Sequence, residues 1–181
     1  TVYVVVKDVP LAVLGHVLTT STDSFILTAI PLFILAAYLM DKGDVSNRII
    51  DFSRDLVGHL PGGLAHVNVV ANMIVAGMSG SALADAGGIG VVAVKMMRRG
   101  GYDDRFTAAI TASASIIGPI IPPSIPLVLY GAIARESVGK LFLGGAIPGI
   151  LVGVALMLYI LVTARKRRYP VTPRPTLREI L

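Results

Sequence analysis

The sequence predicts an all-α integral membrane protein with transmembrane helices, a re-entrant helical hairpin and a helix broken by prolines. Three observations point there. First, the 181 residues are 54% apolar and only 15% charged, with a mean hydropathy of +0.77; a soluble domain carries about 25% charge. Second, long charge-free runs alternate with short charged connectors. Third, two of those runs contain interruptions that a plain spanning helix does not tolerate. The same composition excludes disorder, which needs more charge. With no Cys, disulfides, thiolate metal sites and a cysteine nucleophile are excluded as well. The net charge of +5 follows no nucleic-acid pattern; its basic residues bunch at the ends of apolar runs, as membrane orientation requires.

Residues 24–40 form the first charge-free run and read as a transmembrane helix of roughly the 20 residues that hydrocarbon demands. The preceding stretch 1–22, broken by Lys7, Asp8 and Pro10, reads as the tail of an earlier span, and the whole chain as an interior piece of a longer protein. Residues 41–63 place Arg48, Asp51, Arg54 and Asp55 at helical spacing among Ile49, Ile50, Phe52, Leu56 and Val57, the pattern of an amphipathic interfacial helix.

Residues 64–97 are apolar, yet Gly77-Met78-Ser79-Gly80-Ser81-Ala82 lies at the centre. One reading is a single span with a small-residue packing face. The other is a hairpin of two half-helices meeting at a polar tip, where glycine permits the reversal and Asn72 and Asp85 find partners or a cavity. The basic loops favour the hairpin. If the run enters and leaves on one side, Arg48, Arg54, Lys95, Arg98, Arg99, Arg105 and Arg165 to Arg168 share that side, and the opposite loop carries Arg135 and Lys140. The crowded side is then cytoplasmic.

Residues 106–134 contain Gly118-Pro119-Ile120-Ile121-Pro122-Pro123-Ser124-Ile125-Pro126. Each proline removes a backbone donor and clashes with the preceding turn, so the spacing predicts two half-helices joined by extended backbone. The freed carbonyls need a partner inside a membrane. A bound cation is one, since unwound carbonyls of broken helices coordinate Na⁺; neighbouring helices sealing a structural kink are the other. Residues 141–164 read as the last transmembrane helix, and 165–181 as a basic cytoplasmic connector in which Pro170, Pro173 and Pro175 stop any helix.

Catalytic motifs fare poorly. Gly77-Met78-Ser79-Gly80 matches the G-x-S-G of rhomboid-type intramembrane serine proteases, but His16, His59 and His66 all precede Ser79, and the general base should follow it. Gly88-Ile89-Gly90-Val91-Val92-Ala93 has dinucleotide-fingerprint spacing without the strand that motif needs. His66 reads as a packed, hydrogen-bonded side chain, not a metal ligand. No enzyme chemistry and no resident cofactor are expected.

Pro31-Leu32-Phe33-Ile34-Leu35-Ala36, Gly62 to Asn68, Gly77 to Asp85 and Ile117 to Pro126 resemble the large membrane (DctM-type) subunit of tripartite ATP-independent periplasmic (TRAP) transporters. The resemblance runs from about Asp23 to Leu181 and corresponds to the first of two inverted repeats. It implies one half of an inverted-repeat ion-transporter fold in the bacterial inner membrane. It also implies Na⁺-coupled, elevator-type import of organic acids such as C4-dicarboxylates or sialic acid. The implied partners are a periplasmic substrate-binding protein, a small membrane subunit and the lipid bilayer. Carried onto this sequence, it places Ser79, Gly80 and Ser81 at the hairpin tip and Gly118, Pro119, Pro122 and Ser124 in the helix break, together forming a Na⁺ site. Asn72, Ser81, Pro123 and Ser124 are the candidate substrate contacts. Asp85 reads as a helix-end or interhelical hydrogen-bond acceptor, with direct ion ligation as the alternative. Another hairpin-containing dicarboxylate or citrate carrier is the neighbouring possibility.

Overall fold

A computed structural model describes residues 25–167 and 169. The stretch 1–22 and the connector beyond Arg167, Tyr169 excepted, lie outside the described residues, so the expectations placed on them are not addressed. Among the described residues every regular element is an α-helix: α1 Phe25–Lys42, α2 Val45–Val57, α3 Gly63–Ser79, α4 Ala82–Gly87, α5 Ile89–Arg99, α6 Asp104–Ser115, α7 Ile125–Ala134 and α8 Val138–Arg167.

The sequence dictates where these helices stop. Asp44, in the left-handed region at φ 59°, turns α1 into α2. The amphipathic pattern of α2 is real: Ile50, Ser53 and Val57 are buried while Phe52 and Leu56 on another face are exposed. Gly62 at φ +78° starts α3, and a side chain there would strike Ala164 Cβ at 2.6 Å, so the position also admits the end of α8. Asp103 caps α6 by accepting from Phe106 N at 3.1 Å, and Ser124 caps α7 by accepting from Leu127 N. A side-chain oxygen at the N-cap satisfies one of the amide donors a helix start leaves open.

Helix α3 is the hub. It packs on α2, α5, α6 and α8, and its Ala65, His66, Val67, Asn68, Val69, Ala71, Asn72 and Ala76 are all buried. Its start lies beside the end of α5: a side chain at Gly100 would meet Leu64 Cδ1, and Asn68 Nδ2 contacts Met97 Sδ at 3.5 Å. Helices α3 and α5 thus run antiparallel, with the reversal at Gly80 and Ser81. The return arm is in two pieces, because Gly88 at φ −92°, ψ −102° interrupts it.

Between α6 and α7 the chain leaves the helix over residues 116–124. The proline string predicts extended backbone here; most of the segment instead turns. Ile117 N bonds Ala114 O at 3.1 Å, and Ile120 N and Ile121 N both reach Ile117 O, at 3.0 and 2.9 Å. The backbone is extended at Ser124, at φ −128°, ψ 127°. The residues between the prolines still own amide donors, and those donors close turns before the Pro122–Pro123 pair, joined by a cis peptide.

Helix α8 is the one described helix long and apolar enough to cross a membrane by length and composition. It extends beyond the expected 141–164 on both sides. Gly149, Gly153, Ile160 and Ala164 face the protein, while Leu143, Ile147, Leu151 and Leu158 are exposed.

Candidate functional site

The reversal after α3 is built by two residues. Gly80 closes α3 in the left-handed region at φ +57°, its amide bonding Ala76 O at 3.2 Å. Ser81 is extended and caps α4, its Oγ accepting from Ala84 N at 3.4 Å. Glycine is needed at position 80 twice over. A Cβ there would meet Ile125 N at 2.9 Å and Pro123 O and Ser124 Cα at 3.1 Å. The hairpin tip therefore rests directly on the end of the proline break. One turn earlier, a Cβ at Gly77 would lie 3.5 Å from Pro122 O.

The prolines decide which carbonyls are left open. An α-helix bonds the amide of residue i to the carbonyl of i−4, so Pro119, Pro122, Pro123 and Pro126 withhold donors from Ser115, Gly118, Pro119 and Pro122. Two of these find substitutes: Gly118 N bonds Ser115 O at 3.2 Å, and Ser124 Oγ donates to Pro119 O at 2.6 Å. The carbonyls of Gly118 and Pro122, with those of Ser79, Gly80 and Pro123, accept no hydrogen bond among the described residues.

Asp85 completes the cluster. It lies in α4 yet is buried to 1% exposure. Ser79 Oγ donates to its Oδ1 across the tip. Its Oδ2 has no partner among the described residues and lies where a side chain on Gly118 would stand. The carboxylate thus bridges the tip to the beginning of the break. Beside it, a cavity of about 490 Å³ is lined by Ser79, Ser81 and Asp85, by Tyr38 of α1, Ile49 of α2 and Ile125 of α7.

Of the residues singled out from the sequence, Ser79, Gly80, Ser81, Pro122, Pro123 and Ser124 are brought together. Gly118 joins them through Asp85. Pro119 contributes no free oxygen, because Ser124 occupies it. Asn72 is not at the tip: it sits seven residues earlier on α3, about 10 Å along the axis. There its Nδ2 donates to Asn68 Oδ1 at 2.8 Å and Asn68 O at 2.9 Å, while its Oδ1 is unpartnered. Asn68 Nδ2 in turn donates to Thr111 Oγ1 at 2.7 Å, fastening α3 to α6. Sequence reading passed over Asn68 and Thr111; both sit at depth in apolar runs, and that was the available signal. His66 is packed at 1% exposure, but neither ring nitrogen has a bonding partner. No group of three or more acidic or His side chains arranged for a metal occurs among the described residues.

Residues 1–181 match the family described as "Tripartite ATP-independent periplasmic transporter, DctM component". The chain belongs to this family. Among its relatives, the sialic acid TRAP transporter permease SiaT of Haemophilus influenzae is 51% identical over 88% of this chain and 26% of its own length. The sialic acid TRAP transporter large permease SiaM of Vibrio cholerae is 48% identical over 87% of this chain and 37% of its own. The C4-dicarboxylate TRAP transporter large permease DctM of Pseudomonas aeruginosa is 44% identical over 89% and 38%. The DctM-type chain thus spans between about a quarter and two fifths of the length of these relatives. Its relatives are transport permeases, and the family is one of transporter components, not of enzymes. The hydrolase reading of Ser79 ends here: its hydroxyl is engaged by a carboxylate, not by an imidazole.

Proposed function

We propose that this DctM-type chain is part of the large membrane subunit of a Na⁺-coupled secondary transporter. In this reading α3 to α5 form a re-entrant hairpin, and the chain supplies the first of two inverted repeats in a multi-pass protein of the bacterial inner membrane. The transporter imports organic acids handed over by a periplasmic binding protein and works with a small membrane subunit. The observation that carries the reading is the seating of the Gly80 tip against the proline break, with unbonded carbonyls on both sides of the contact. Such oxygens are costly in hydrocarbon unless something satisfies them. A hard monovalent cation does so at once for both segments, and weakly enough for release.

The substrate class rests on relatives named for sialic acid, 2,3-diketo-L-gulonate, C4-dicarboxylates and isethionate, all organic anions. Ser81, Pro123 and Ser124 stand at the same contact and are the substrate-facing candidates. Asn72, held by Asn68, presents its unpartnered Oδ1 farther along the hairpin arm.

The test is uptake against Na⁺ concentration in proteoliposomes of the complete transporter with its binding protein. Ser81→Leu blocks the close approach at the tip, and Pro122→Ala restores a donor for the Gly118 carbonyl. Both are expected to raise the Na⁺ midpoint while docking of the periplasmic subunit persists. Midpoint and Hill slope unchanged in both variants remove these residues from the ion site and leave the break as a structural kink.

A further inference from the structure

We propose that the cleft between α2 and the base of the hairpin binds the phosphate of an anionic phospholipid headgroup, held by Arg54, Lys95 and Arg99. The cleft has a volume of about 530 Å³, and these three side chains line it together with one carboxylate, that of Asp51. Three cations against one anion leave an excess of positive charge in one place. Ion pairing inside the chain does not remove it. Arg54 is met by Asp51 at 3.1 Å, but both side chains are open to solvent, at 42% and 67%, where an ion pair is weak. Lys95 and Arg99 form no ion pair among the described residues.

A helix end attracts cations without any ligand, because its last carbonyls carry partial negative charge, and Lys95, Arg98 and Arg99 all lie near the end of α5. That explanation does not account for the cleft. Arg98, on the same helix end, has its own carboxylate, with Nε donating to Asp104 Oδ1 at 2.7 Å, and it points elsewhere; Arg99 beside it lines the cleft. Arg54 comes from another helix. Its Nη2 reaches Met96 Sδ at 3.5 Å, which sets the guanidinium against the turn of α5 that carries Lys95 and Arg99. The fold thus gathers the three cations from two segments distant in the chain.

The walls of the cleft select the kind of anion. Ile50, Val92 and Met96 line it beside the cations. On α5 the apolar members run toward the tip: Val92 stands one turn before Met96, and Val91, 43% exposed, one turn before Lys95. A free phosphate has no use for an apolar wall. A phospholipid presents a phosphodiester at the membrane surface and hydrocarbon beneath it, and so matches both halves of the cleft. In the topology proposed above, the hairpin base faces the cytoplasm, where basic clefts between helices take anionic headgroups. The guanidinium forks of Arg54 and Arg99 suit two phosphate oxygens at a time, and Lys95 adds a point charge. A lipid held there ties α2 to the base of the hairpin. The inference uses the proposed membrane side but not the coupling to Na⁺.

The test titrates the complete transporter, purified in detergent and stripped of lipid, with short-chain phosphatidylglycerol, short-chain phosphatidylcholine or inorganic phosphate, and follows thermal unfolding. Working in Na⁺-free buffer without substrate keeps a failure here separate from a failure of the transport reading. Phosphatidylglycerol is expected to stabilise the wild type. In the double variant Lys95→Gln with Arg99→Gln, the concentration required should rise roughly fivefold for each cation removed. Arg48→Gln with Arg105→Gln removes the same charge from exposed positions outside the cleft and should stay close to the wild type. Asp51→Asn removes the one competing carboxylate and should lower the concentration required; this variant decides the matter if the double variant fails to assemble. The proposal is overturned if phosphatidylglycerol does not stabilise the wild type, or if phosphatidylcholine does so equally well. Inorganic phosphate acting at the same concentration as the lipid would make this a free-anion site and overturn the lipid assignment. So would a double variant that keeps the wild-type concentration or shifts no more than the control pair, or, failing its assembly, an Asp51→Asn protein identical to the wild type.

Discussion

Single residues here act by what they lack. Gly80 lacks a Cβ, and the tip needs both its positive φ and its closeness to Ile125 N at 2.9 Å. Gly80→Ala meets the left-handed penalty of roughly 1–2 kcal/mol and a backbone clash that displaces the break. The expected result is a lower midpoint of thermal unfolding and loss of most Na⁺-stimulated uptake. Gly87→Ala is the matched control: a Cβ there touches nothing within 4 Å, and the substitution should be near neutral in both measurements. The prolines act in the same subtractive way, withholding amide donors so that carbonyls stay available. Asp85 shows the converse: its Oδ2 is retained at depth without a hydrogen-bond partner among the described residues.

At the level of elements, the hairpin makes a topological claim. Helices α3 and α5 are antiparallel, and their outer ends meet at Leu64 and Gly100. Positions 44 and 99 should then lie on the same membrane face, which the proposed topology, with its one-sided basic loops, makes the cytoplasmic one. Single cysteines placed at Asp44 and Arg99 in a cysteine-free background are expected to react with an impermeant thiol reagent from the same side. Labelling from opposite sides would show that residues 64–97 cross the membrane once. The bent return arm fits the hairpin geometry. Gly88 breaks it so that the short α4 can turn Asp85 inward, while α5 continues along α3 with Ile89, Ala93 and Met97 buried.

The whole molecule presents apolar surface that its own packing does not cover. Ile133, Leu143, Ile147 and Leu151 are each more than half exposed, at 76%, 76%, 66% and 62%, and the relatives are far longer than the matched stretch. A site at a repeat interface, as inverted-repeat carriers have, needs its other half. Residues 1–181 expressed alone in liposomes are therefore expected to give no organic-acid uptake under an imposed Na⁺ gradient. The complete transporter with its binding protein should give robust uptake in the same vesicles. Uptake by the stretch alone would contradict the reading of it as one repeat of a two-repeat carrier.

What the sequence by itself determined is local. Charge-free length, helix-stopping glycines and the proline string are properties of neighbouring residues, and backbone sterics and hydrogen-bond supply act over a few positions at a time. The helices and the places where they fail were legible for that reason, and the four quoted motifs were enough to point to the family. What only the tertiary structure decided is which interruptions meet and which oxygens stay open. Pro119 looked like a donor of a free carbonyl, but Ser124, five residues on, folds back and takes it. Asn72 read as a polar group at depth in need of a partner and as a candidate substrate contact; the fold supplies the partner in Asn68, which Thr111 holds in turn. Asp85 read from sequence as a helix-end or interhelical acceptor; only packing placed one of its oxygens on Ser79 and the other in the gap left by Gly118. These outcomes depend on contacts between segments distant in the chain, which side-chain chemistry permits and three-dimensional packing selects.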